Sequence, residues 1–140
     1  MAEFKFKIST DASGVLSGLG KFKEGVSKAI DAAIRNSARE LLKDCRPYVP
    51  LLTGRLRDSG KVVQELEDFA YSVVWDAANP KNGYVYAEIQ YDRVLQHVDG
   101  RYAAKWVEKV FRENPDKYTR IAYEQMAARM AILFPGQGNF

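Results

Sequence analysis

The chain has little of the chemistry that catalysis draws on. Its 140 residues hold one cysteine, Cys45, and one histidine, His97. A lone cysteine staples nothing internally, and one histidine without a cysteine pair makes no recognisable metal site. No G-x-x-x-x-G-K-S/T, G-x-G-x-x-G or G-x-S-x-G string occurs, so phosphate-cradling loops and a nucleophile elbow are both missing. No run approaches the roughly 20 apolar residues that span a bilayer. The opening MAEFKFKIST alternates charge with aromatic and lacks the apolar run and cleavage site of a signal peptide. These absences predict a protein with no catalytic residue, no cofactor and no metal, made in a cytoplasm and staying off membranes.

Charge of one sign is also scarce: 21 Lys+Arg against 18 Asp+Glu leave a net +3, too little to argue for nucleic acid. The distribution is uneven. Residues 1–60 carry eleven basic and seven acidic groups, 61–100 three and seven, and 101–140 seven and four. An acidic middle between basic ends suits head-to-tail contact between copies, and it also suits an ordinary solvated surface.

What is present is periodicity, with 46% apolar residues to build a core. Phe4, Phe6 and Ile8 alternate with Lys5 and Lys7 as in a half-buried strand, and Ser9, Thr10 and Asp11 then offer capping oxygens. Leu19, Phe22, Val26, Ile30, Ile34, Ala38, Leu41 and Cys45 follow at steps of three and four, one helical stripe. A helix over about 12–45 would be roughly 50 Å long, more than a domain of this size requires. Its first half, with Gly14, Gly18, Gly20 and Gly25, is expected to be irregular, mobile or at a subunit interface. Cys45 lies in the apolar stripe and reads as an inert core thiol.

Pro47 stops the helix, and the chain before Pro50 should be extended. Thr53 is placed to cap a short helical turn. Val62–Leu66 and Phe69–Trp75 read as a hairpin turning at Glu67-Asp68. Tyr84–Tyr91 fits both a strand and a helical face, and Val94–Val98, with His97 facing solvent, fits another strand. A helix is predicted over Tyr102–Glu113, and Asn114-Pro115 should cap a last helix carrying Tyr118, Ala122, Met126, Met130 and Leu133. The sum is one α+β domain over 1–134: a long N-terminal helix, a small antiparallel sheet and C-terminal helices packed on it, with a loose tail at 135–140.

Two constellations invite function. Arg46, Arg55, Arg57 and Lys61 could hold a phosphate backbone, although no aromatics interleave with them to stack on bases. Tyr71, Trp75, Tyr84, Tyr86, Tyr91, Tyr102 and Trp106 are types enriched at interface hot spots and equally suited to a core; Trp106 is assigned to the core.

The segment Val49-Pro50-Leu51-Leu52-Thr53-Gly54-Arg55-Leu56-Arg57-Asp58-Ser59, between a long helix and a hairpin, resembles the V-P-x-x-T-G-x-L-R-x-S signature of phage tail-completion and head–tail joining proteins. Some of these are also called minor capsid proteins. Tyr86-Ala87-Glu88-Ile89-Gln90-Tyr91, then Trp106-Val107-Glu108, is similar to the second, looser block of that pattern; Asp92 stands where many relatives have glycine. The resemblance covers about residues 26–130. It implies a virion protein: a homo-oligomeric ring at the head–tail junction, assembled in the bacterial host cytoplasm. Its partners would be neighbouring neck and tail proteins, with DNA only as cargo passing through. Thr53, Gly54, Arg55, Leu56, Tyr86 and Tyr91 become the interface candidates. The alternatives are a tail-terminator ring, which shares the α+β plan, and a small nucleic-acid-binding module built on the Arg46–Lys61 cluster.

Overall fold

Alternation of Phe6 and Ile8 with Lys5 and Lys7 does produce a strand, β1 (Phe4–Ser9). The computed structural model describes residues 4–49, 55–77 and 105–134. After β1, the Asp11 carboxylate accepts the Ser13 backbone N–H at 3.1 Å and the Ser13 hydroxyl at 2.8 Å, starting the short helix α1 (Ser13–Leu16). These bonds hold the Asp11 carboxyl below its usual range.

The expected single helix over 12–45 is divided. A turn follows α1, then a 3-10 turn over Gly20–Phe22, and only then the long helix α2 (Lys23–Cys45). The break falls at Gly20, whose φ of 54° is left-handed and incompatible with continuing a right-handed helix. The 23 residues of α2 extend ~35 Å at 1.5 Å per residue. Its buried face runs Val26, Ile30, Ala33, Ala38, Leu41 and Cys45. At its end a 3-10 turn over Arg46–Tyr48 leads into Val49, which is extended (ψ 129°) as a residue before proline should be.

The short helix α3 (Arg55–Asp58) precedes the hairpin of β2 (Lys61–Gln64) and β3 (Ala70–Trp75). The hairpin loop is longer than the expected Glu67-Asp68 pair. Glu65 N–H still reaches the Ala70 carbonyl at 2.9 Å, and the chain reverses through Phe69 at φ 58°. A two-residue loop requires left-handed positions that Glu and Asp fill less readily than Asn-Gly, so the turn widens. The sheet is antiparallel throughout, in the order β1-β3-β2, with Phe6 and Val62 both opposite Val73.

One face of the sheet meets α2 through Tyr71, Val73 and Trp75, with Phe6, Ile8 and Val62 at its margins. Over the other face Lys5 and Lys7 reach across β3 to Glu65 (3.0 Å) and Glu67 (2.7 Å). The central strand β3 is buried on both faces, so Ser72 and Val74, which alternation alone would turn outward, are covered.

The last two described helices are α4 (Trp106–Glu113) and α5 (Lys117–Leu133). The last begins two residues later than expected: Asn114 closes α4 on the Val110 carbonyl instead of capping α5, and Asn114–Asp116 form the turn. α4 sits on the sheet, with Trp106 edge-on to Trp75 at 5.6 Å and Phe111 between Phe6 and Tyr118 at 5.2 and 5.1 Å. α5 runs antiparallel along α2. Its start is held by Asp44, its middle by Asn36 donating to Gln125 (3.1 Å), and its end lies against Gly25, where a Cβ would sit 3.0 Å from Leu133. The α+β class therefore stands as read. Tyr84–Tyr91, Val94–Val98 and the tail at 135–140 lie outside the described residues.

Candidate assembly surfaces

The corner between α2 and the hairpin carries the described part of the signature segment. Leu56 points inward and is buried in this chain's own core, while Arg55 beside it is exposed. Arg57 donates to the Val49 carbonyl at 2.9 Å and the Pro47 carbonyl at 3.4 Å, tying α3 to the segment that leaves α2. Ser59 donates its hydroxyl to the Leu56 carbonyl at 2.7 Å and closes the turn. Gly60 follows at a point of close approach: a Cβ there would stand 2.8 Å from both Leu42 Cδ1 and Trp75 Nε1. Leu56 and Gly60 thus press the segment onto the core and leave Arg55 on its outer side.

This arrangement also occupies the basic cluster. Arg46 pairs with Asp58 at 3.2 Å, Arg57 is bound to carbonyls, and Lys61 pairs with Asp76 at 2.8 Å. Such pairing lowers the positive field a phosphate backbone would meet. Of the six interface candidates, Arg55 and Leu56 are positioned, on opposite sides of one turn; Thr53, Gly54, Tyr86 and Tyr91 lie outside the described residues.

A second surface lies at the opposite end of α2. There α1, the start of α2, the end of α5 and the hairpin tip come together. Thr10 N–H reaches the Phe69 carbonyl at 3.3 Å, and Phe22 meets Phe134 at 4.9 Å. Most of the exposed large apolar side chains among the described residues gather here: Val15, Phe22, Tyr123, Ile132, Leu133 and, at 105% relative exposure, Leu66. Between α1, α2 and α5 runs an apolar groove of about 380 Å³, lined by Ala12, Val15, Val26, Tyr123, Met126 and Met130 among others. The exposed Val15 and Phe22 fall within the stretch that the glycines mark as irregular. Leu66, expected to end a strand beside the Glu67-Asp68 turn, falls instead in the wider loop, because the strand stops at Gln64.

Among the described residues, neither surface exposes a thiol. Cys45 is fully buried, and burial, with a smaller contribution from the Asp44 charge, pushes its thiol up to about 12, far from a thiolate. Asp44 accepts the Tyr118 hydroxyl at 2.7 Å and pairs with Lys117, an interhelical clamp. Among the described residues no group of three or more His, Cys, Asp or Glu side chains could hold a metal, and no helix is long and apolar enough to cross a membrane. His97 lies outside them.

No protein family, curated protein or solved structure matches this chain.

Proposed function

We propose that the chain is a structural, non-catalytic protein of a tailed bacteriophage, one subunit of a ring at the head–tail junction. The observation that carries this reading is the signature segment itself. Its Arg55-Leu56-Arg57 turn is pinned from within by Leu56 and Arg57, so that Arg55 is presented on a fixed backbone at the surface. A rigid turn offering a guanidinium suits bidentate capture of a carboxylate on a neighbouring subunit or neck protein. A subunit of this kind requires a core, a presented contact and self-association, and the residues above supply the first two. The tail-terminator ring is the alternative within the same class. Nucleic-acid recognition is the weaker reading, because Arg46, Arg57 and Lys61 are engaged within the chain.

The test is Arg55→Ala in the phage that encodes the chain, with the purified variant alongside. Arg55 is exposed, so melting should stay near wild type while heads and tails fail to join. Normal phage yield from the variant would remove Arg55 from the reading. DNA affinity that falls steeply with salt would replace the structural reading with the nucleic-acid one.

A further inference from the structure

The two edges of the sheet differ in what lies beside them. Glu65 N–H bonds to the Ala70 carbonyl and Thr10 N–H to the Phe69 carbonyl, which sets the phase of both ladders. Ladder bonds of an antiparallel pair fall on alternate residues, so Tyr71 and Val73 of β3 serve β1, while Ser72 and Val74 serve β2. On β1 the bonded partners are Phe6 and Ile8, and the backbone N–H and C=O groups of Lys5, Lys7 and Ser9 point away from the sheet. Among the described residues no strand lies beyond β1. An open edge of this kind is a template for one more strand.

Beside that edge, between β1 and α5, runs an apolar trough of about 460 Å³, lined by Phe6, Ile8, Ile34, Phe111, Tyr123 and Met126 among others. Phe6 and Ile8 are only half-buried and Tyr123 is exposed, so the trough has apolar surface left to cover. A strand added to β1 would turn alternate side chains into it and the others to the lysine side of the sheet. Residues opposite one another in an antiparallel pair share a face, so the second set would stand beside Lys5 and Lys7.

Charge and cover select the occupant. Lys7 is the one charged residue in the lining among the described residues; Arg120 and Glu124, on the exposed side of α5, pair with each other, and Asp11, past the end of β1, is bound by Ser13. Lys5 and Lys7 reach Glu65 and Glu67 across β3, and carboxylates on an added strand would flank the same lysines from the other side. The β1 strand of a second copy does not fit, because its fullest antiparallel register sets Lys7 against Lys7. The β2 strand of a second copy is already covered by its own α2, which would meet α5. A single extended segment fits, because α2 and α5 supply the layer that its apolar face needs.

We infer that β1 takes up, as one further strand, an extended segment of another protein that alternates apolar residues with acidic ones. Main-chain bonds to Lys5, Lys7 and Ser9 supply affinity, and the trough reads the apolar residues. The inference rests on the assembly reading only for the source of the segment, a neighbouring neck or tail protein. The edge and the trough stand without it.

The test uses the full chain and a capped synthetic peptide, about six residues long, that alternates valine with glutamate. Fluorescence anisotropy should show that it binds, and that its valine–lysine counterpart binds about tenfold more weakly or worse. N-methylation of one alternate set of peptide amides should abolish binding, and methylation of the other set should spare it, as pairing along one edge requires. Lys7→Pro removes an N–H that β3 does not use, so the variant should melt near wild type and bind the peptide about tenfold more weakly or worse. Thr119→Trp, at an exposed position in the lining, should weaken binding by filling the trough. No binding by wild type, equal binding of both peptides, tolerance of methylation on both sets, or binding that both variants leave unchanged overturns the inference. Self-association of wild type that Lys7→Pro abolishes also overturns it, by giving the edge to a second copy. The phage reading fails separately: peptide binding at this edge, together with normal joining of heads to tails in phage lacking the protein, would sink that reading and spare the edge.

Discussion

The Tyr118 hydroxyl donates to Asp44 Oδ2 at 2.7 Å, joining the first turn of α5 to the last turn of α2 across 74 residues of chain. The same carboxylate pairs with Lys117, and nearby Ser37 donates to the Tyr118 backbone carbonyl at 3.0 Å. Asp44 is thus the residue through which the C-terminal helix is set along the long one, and the groove between α1, α2 and α5 depends on that alignment.

Burial, followed by the hydrogen bond to Asp44, holds the Tyr118 phenol well above its ordinary value of 10.0. Tyr71, buried and bonded to Asp31 at 2.7 Å, is raised for the same two reasons. Because the folded values exceed the unfolded ones, this stability is fully present below pH 10 and drains away as pH rises above it. Tyr118→Phe should cost about 1 kcal/mol at neutral pH and show a shallower loss of stability above pH 10 than wild type. Equal slopes in alkaline denaturant titrations would show that the clamp does not govern this range.

Gly60→Ala should destabilise by roughly 1–3 kcal/mol, the usual scale of overpacking. The added methyl would stand 2.8 Å from Trp75, which is 1% exposed and packed edge-on against Trp106. Thermal melting checks this directly. A variant as stable as wild type would mean that the corner yields without cost.

Hydrogen exchange should divide the N-terminal third of the chain. Amides of α1 and the Gly20–Phe22 turn are expected to exchange quickly, because short helical turns beside a left-handed glycine carry few internal bonds. Amides from Ala29 to Leu41 in α2, buried under the sheet and α5, should exchange near the global limit. Uniform protection from Ser13 to Cys45 in a monomer would contradict the break at Gly20.

The Cys45 thiol, pushed up to about 12, should resist thiol reagents at pH 8 in the native chain and react once it is denatured. Replacing Cys45 by Ser and His97 by Gln together should leave assembly intact, with some loss of melting temperature from the buried hydroxyl. A folded double variant that fails in assembly would assign chemistry to one of these two residues.

The elements were legible because their signals are local. Steps of three and four from Val26 to Cys45 make a helix wherever that stretch is placed, alternation in β1 and β3 makes strands, and Pro47 ends the helix on steric grounds. The apolar stripe was also enough to place Cys45 and Trp106 in the core. Where the signal was weak, the boundaries moved: one left-handed glycine divided the first helix, and the hairpin loop opened through Phe69. Tertiary structure alone decided what lies beside what. It set β1 against β3, brought Lys7 to Glu67 across 60 residues, sent Leu56 inward while Arg55 stayed outside, and left Leu66 in solvent next to an apolar groove. Local periodicity fixes which face of an element is apolar, but which element covers that face depends on contacts between residues far apart in the chain, and an uncovered apolar face shows itself only once every element has its place.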